Sequence, residues 1–206
     1  ELLYIYGGMI VPNSFICLRN LISIYTDGLE KEKAFVFEEP THHVNLINSS
    51  KHHVFSPNPM FIGAEKRSPI IHDLIDYLKT RNNTGHFSAE SDFFGYTSKW
   101  ISNEIRRNHI YLFDGIYVGT KTIEKKPVLI ENLLSEEQLD FCKRRTYGIV
   151  IPSEELLKRT NYNWFAVMSS NEILDSNLIV SQYLIQGLKD NNQKKIEDLS
   201  KTVVSI

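Results

Sequence analysis

Two side chains in one polar stretch have the types that move protons. His86 and Asp92 both lie between Asn82 and Gly95, in Thr84-Gly85-His86 and Ser91-Asp92-Phe93-Phe94. An imidazole and a carboxylate act as general acid and base once a fold brings them to a bound hydroxyl. Polar loops also carry such residues without chemistry, so His86 and Asp92 are candidates by residue type. Four imidazoles, His42-His43 and His52-His53, raise the question of zinc. Adjacent residues on a strand point to opposite faces, so at most one of each pair reaches a shared ion, and no Cys or Asp stands at ligand spacing. The expectation is a polar or partner-facing hairpin and no metal. Lys143-Arg144-Arg145 reads as the solvated face of a helix.

Composition narrows the classes. The 206 residues carry 23 Lys and Arg against 25 Asp and Glu, a formal charge of −2, with 42% hydrophobic residues. That is enough chain for a sizeable core, and scattered, countered bases argue against nucleic-acid binding. Two cysteines, Cys17 and Cys142, make no disulfide framework and favour a reducing compartment. No run approaches a membrane-spanning length, and a cytoplasmic or virion-associated location is expected.

The elements that must position any site follow from pattern and punctuation. Residues up to Tyr6 read as the end of a buried helix, Gly7-Gly8 as a turn, and Met9-Ile10-Val11 as a sheet-interior strand stopped by Pro12, which cannot donate into a ladder. Phe15 to Cys17 continues extended, Arg19 to Tyr25 reads as a short helix or turn, and Ala34 to Glu38 has the bulk of a strand. Ser68 and Pro69 suit a helix start, before an apolar face of Ile70, Ile71, Leu74, Ile75 and Leu78. Asn82 to Gly95 reads as a polar connection, and Ser98 to Arg107 as a helix with Trp100, Ile101 and Ile105 inward. Ile110 to Phe113 and Gly115 to Val118 read as strands around a turn at Asp114-Gly115. Ser135 with Gln138 forms a capping-box pattern, flanked by Leu134 and Leu139, and predicts a helix ending near Gly148. Ile149 to Ile151 reads as a strand, Glu172 to Leu188 as one long helix, and 191–206 as a polar tail after a domain spanning 1–190. Together these predict an α/β fold: a mixed sheet flanked by helices, with its ligand edge at the carboxyl ends of strands.

Leu3 to Ser14 resembles the core motif of the DXD-type nucleotide-sugar glycosyltransferases, the group of capsular polysaccharide synthesis proteins and Golgi-type mannosyl- and glucosyltransferases. That motif is a helix ending in Tyr-Gly-Gly, a hydrophobic triplet, then Asp-x-Asp. Tyr6-Gly7-Gly8 and Met9-Ile10-Val11 match it, and the acidic positions fall on Pro12 and Ser14. Ser56 to Glu65, with its Asn58, followed by Lys66-Arg67-Ser68-Pro69, is similar to a second family segment in which an Asn precedes a short strand and a turn leads into a helix. The resemblance implies a glycosyltransferase A-like fold, of which this chain is the C-terminal portion, with nucleotide-binding strands upstream. It implies donor contacts at Asn13 and Ser14, and at Trp164 and Ser169 in the late segment that closes over the donor diphosphate. By its own chemistry Trp164 also reads as a plug at the end of the core. Thr84-Gly85-His86 falls where the family often carries Thr-Gly-Pro beside the acceptor.

The missing carboxylates decide between two functions. In the family they hold a divalent cation that offsets phosphate charge, a role for hard oxygen ligands. Pro12 offers nothing and Asn13 and Ser14 only neutral oxygens, so no metal and no other cofactor is expected. One function is a binding or structural component of a larger assembly, such as a virus particle, with protein partners. The other is an active metal-independent transferase acting on a glycan or protein acceptor. It would use Lys66, Arg67, Arg106 or Lys121 as the cation and Asp92, Glu38 or His86 as the base.

Overall fold

The computed structural model describes residues 1–41, 55–84, 90–142, 144–158 and 160–190. His42, His43, His52, His53, His86, Lys143 and the stretch 191–206 lie outside the described residues. The centre is a four-stranded sheet in the order β1 (Gly8–Ile10), β4 (Phe55–Ala64), β3 (Ala34–Pro40), β5 (Tyr111–Phe113). β4 runs antiparallel to both of its neighbours, whereas β3 and β5 pair in parallel. It follows that β1, β3 and β5 all point the same way.

The sheet is covered on both faces because β3 is apolar at every position from Ala34 to Phe37, and the strand period of two splits that run between two cores. Ala34 and Val36 meet Ile70 and Ile71 of α3 (Pro69–Thr84), Ile101 of α4 (Glu90–Arg106) and Leu3 of α1 (Leu2–Tyr6). Phe35 and Phe37 meet Phe61, Phe113 and Ile24 of α2 (Ile22–Lys31) on the other face. Gly63, paired with Phe35 across the strands, makes this possible, since a Cβ there would lie 2.1 Å from the ring's Cζ. Each ring so buried contributes about 1.5–3 kcal/mol. The fold is therefore α/β, a mixed sheet flanked by helices.

A second region is built around a two-stranded antiparallel ribbon of β2 (Phe15–Cys17) and β6 (Gly148–Val150). Ile16 and Ile149 of this ribbon are buried with Leu133, Phe141, Phe165 and Ile179. The helices here are short: α5 (Ile130–Leu133), α6 (Ser153–Lys158), α7 (Asn163–Ala166), α8 (Ser170–Asp175) and α9 (Ile179–Asp190).

Several expectations are corrected. β1 is an edge strand, not an interior one: β4 is its only strand partner among the described residues, and Ile10 is 45% exposed. Gly7-Gly8 does mark the turn, and Gly7 takes a φ of 70° that suits glycine. The Asn82 to Gly95 connection is largely helical, because α3 continues to Thr84 and α4 starts at Glu90. Ser68 precedes α3, but its buried hydroxyl has no partner among the described residues, and its carbonyl accepts from the Ile71 and His72 amides. Gly115–Val118 is a 3-10 turn, not a strand, because Asp114 caps it by accepting from the Ile116 amide at 2.9 Å. Among the described residues no helix follows Ser135 before Gly148, where one was expected. Asn132 Oδ1 accepts from the Leu129 amide to set up α5 just before it, and Leu134, Leu139 and Phe141 enter the second core from irregular chain. The long helix over Glu172 to Leu188 is two helices, broken where Ser176 turns extended and the Ile179 amide bonds the Ser135 carbonyl at 2.9 Å. The residue that fills the core near Trp164 is Phe165, while Trp164 itself is 44% exposed.

Candidate functional site

Because β1, β3 and β5 share a direction, their carboxyl ends meet at one edge of the sheet, where open α/β sheets place ligands. After β1 the chain closes a turn, with the Phe15 amide on the Pro12 carbonyl at 3.0 Å, and the Ser14 carbonyl accepts from the Ile151 amide at 2.9 Å. Asn13 is exposed at that turn and Ser14 half-buried. These two candidates therefore stand at the edge the sequence assigned them, with neutral oxygens only.

β3 ends in Glu38-Glu39-Pro40, after a register shift between Val36 and Glu38. A bulge of this kind re-aims side chains, and it stands immediately before Glu38. β5 ends at Phe113, so Asp114 is the first residue beyond the neighbouring parallel strand. Lys121 reaches both from a short excursion closed by its bridge to Pro127. Thr120 anchors the approach by donating from Oγ1 to the Glu38 carbonyl at 2.6 Å.

The three charged groups form one cluster. Lys121 Nζ donates to Glu38 Oε2, lies 3.4 Å from Asp114 Oδ1 and sits 4.2 Å from the centroid of the Phe55 ring. Glu38 Oε2 also accepts from the Gly115 amide at 3.1 Å. The Lys121 side chain is 8% exposed, against 20% for Glu38 and 41% for Asp114. A buried ammonium is stable only when paired, and here two carboxylates and an aromatic face supply that pairing.

Chemically, the arrangement holds two carboxyl groups beside an amine that is already engaged. Among the described residues, no group of three or more His, Cys, Asp or Glu is placed to hold a metal ion. Glu38 was a sequence candidate for the base and Lys121 for the cation, and the fold brings these two together. Asp114 was missed as a site residue, although an Asp-Gly directly after an apolar strand was its signal.

The remaining candidates lie apart. Asp92 belongs to α4, and Arg106 is exposed at the end of the same helix. Lys66 and Arg67 follow β4, which runs opposite to the others, so they stand at the far edge of the sheet. Trp164 projects from α7 with its ring edge-on to Phe165. Ser169 is committed to capping α8: its hydroxyl accepts from the Glu172 amide, and its own amide donates to the Glu172 carboxylate at 2.7 Å. The Ser169 hydroxyl and amide together hold the Glu172 carboxyl below its ordinary range.

The far edge has its own features. A cavity of about 250 Å³ there is lined by Glu32, Lys33, Ser68, Pro69, Ile70, Asp73 and His109. Beside it, buried Glu104 is bonded by Arg107 at 2.9 Å and by His109 at 2.8 Å. No helix among the described residues is long and apolar enough to cross a membrane. Comparison of the chain with protein-family profiles, curated proteins and solved structures returned no match.

Proposed function

We propose that the chain is a transferase-type α/β domain that binds a carbohydrate ligand, a nucleotide sugar or a glycan, at the carboxyl edge of its main sheet without a divalent metal. Its role is binding within a larger assembly rather than metal-dependent sugar transfer. One observation carries this reading. The turn after β1 presents Pro12, Asn13 and Ser14, and two carboxylates on the same edge of the sheet, Glu38 and Asp114, are already paired with Lys121. A cation that offsets leaving-group charge is a large catalytic contribution, and loss of a single oxyanion contact elsewhere costs about 10²–10³ in rate.

A second reading, a metal-independent transferase, draws on the same cluster, in which a carboxylate able to accept a proton lies beside a buried ammonium. Calorimetric titration with UDP- and GDP-sugars in EDTA separates the two. The binding role predicts saturable association without release of free sugar. Steady sugar release that is lost in Glu38→Gln would establish the transferase instead.

A further inference from the structure

The cavity at the far edge sits at the start of α3, and one residue of its wall has a polar group left over. Ser68 is fully buried and lines the cavity, yet its hydroxyl has no partner among the described residues. A serine before a helix ordinarily gives that hydroxyl to a first-turn amide. Here the Ser68 carbonyl takes the Ile71 and His72 amides, Pro69 has no amide, and the Ile70 amide has no backbone partner among the described residues. A hydroxyl and an amide are thus left over at the positive end of a 16-residue helix, the setting in which an anionic oxygen is bound. Buried polar groups are nearly always satisfied, so the hydroxyl calls for a partner from the cavity.

Other wall groups carry the opposite charge. Glu32 and Asp73 line the same cavity, and neither has an ion-pair partner among the described residues. The two bases of the wall are engaged elsewhere: Lys33 lies 3.5 Å from Glu65, and His109 Nδ1 lies 2.8 Å from Glu104 Oε2. These charges exclude the simpler occupants. Inorganic phosphate would meet two unpaired acids beside its donors. A metal ion lacks a ligand set, since no group of three or more His, Cys, Asp or Glu among the described residues is placed to hold one. The volume of about 250 Å³ falls below the about 300–1,000 Å³ of pockets for drug-sized ligands. A small molecule with a carboxylate at one end and an ammonium at the other satisfies both kinds of wall.

We propose that the cavity at the start of α3 binds a small zwitterion of the α-amino acid class. The Ser68 hydroxyl and the Ile70 amide hold its carboxylate, and Asp73 and Glu32 hold its ammonium. This site lies at the opposite edge of the sheet from the proposed carbohydrate site and stands independently of it.

The test uses the full chain, followed by amide resonances. It is titrated with L-alanine and L-leucine and, separately, with acetate, ethylamine and inorganic phosphate. Saturable shifts of the Ile70 and His109 amides with an amino acid are expected, with acetate and ethylamine each binding at least about tenfold more weakly. Ser68→Ala and Asp73→Asn are each expected to weaken amino-acid binding about tenfold. Neither variant is expected to melt below the parent, because the Ser68 hydroxyl bonds nothing among the described residues and Asp73 is exposed, and a retained melting temperature separates lost binding from lost folding. No saturable shift with either amino acid would overturn the site. So would phosphate, acetate or ethylamine binding as tightly as the amino acids, or amino-acid binding that neither substitution weakens.

Discussion

The two edges of the main sheet solve the same electrostatic problem in opposite ways. At the far edge a buried carboxylate, Glu104, is held by two exposed bases, with Arg107 67% and His109 57% exposed at the side chain. Both of its oxygens are bonded. At the carboxyl edge the burial is inverted: the Lys121 side chain is 8% exposed, and the two acids that hold it, Glu38 and Asp114, are 20% and 41% exposed. The far edge also carries a cavity lined by Ser68, whose buried hydroxyl has no partner among the described residues.

Substitution at the buried partner is the strongest way to break this contrast. Lys121→Ala leaves Glu38 and Asp114 facing each other unpaired, and is expected to cost about 2–3 kcal/mol, less than a fully buried pair would because both acids are partly open. Urea denaturation measures it, and a loss below that of Glu104→Ala would contradict the inverted-burial picture. Glu104→Ala is next, at about 1–2 kcal/mol, because Arg107 and His109 turn to solvent once released. His109→Ala follows, below about 1 kcal/mol, since Glu104 keeps Arg107 and the imidazole is largely exposed.

The smallest effect lies away from both edges. Ser169→Ala removes the α8 cap, with an expected melting shift of about 2–4 °C. Because Ser169 depresses the Glu172 carboxyl in the folded chain, that carboxyl stabilises the fold above its ordinary range, and the contribution fades as pH falls through the lowered value. Thermal melts of the two proteins should therefore converge on acidification. A gap that stays constant down to strongly acid pH would remove Glu172 from the cap.

The first half of the chain was the more legible because its elements are long and periodic. Ala34 to Phe37, the apolar face after Pro69 and the inward Ile101 each declare one geometry, and the fold obeys them. The second half is assembled from helices of four to six residues before α9, and there local signals compete with tertiary ones. Ser135 with Gln138 has the pattern of a capping box, yet Leu139 and Phe141 are better buried from irregular chain, and Asn132 starts α5 earlier. At the site, Glu38 and Lys121 were legible as types but not as neighbours, because the register shift in β3 and the Thr120 bond to the Glu38 carbonyl that align them have no sequence signature. Asp114 hid behind its reading as a hairpin turn. Ser169 caps α8 and Trp164 keeps its ring 44% exposed, features that the resemblance did not announce.

Under the proposed function the carboxyl edge works without a divalent ion. Paramagnetic broadening of amide resonances by Mn²⁺, measured on the full chain with and without UDP-sugar, tests it most directly. The prediction is no selective broadening at Asn13, Ser14, Glu38, Asp114 or Gly115 under either condition. Broadening centred on those amides, appearing with UDP-sugar and reversed by EDTA, would contradict it.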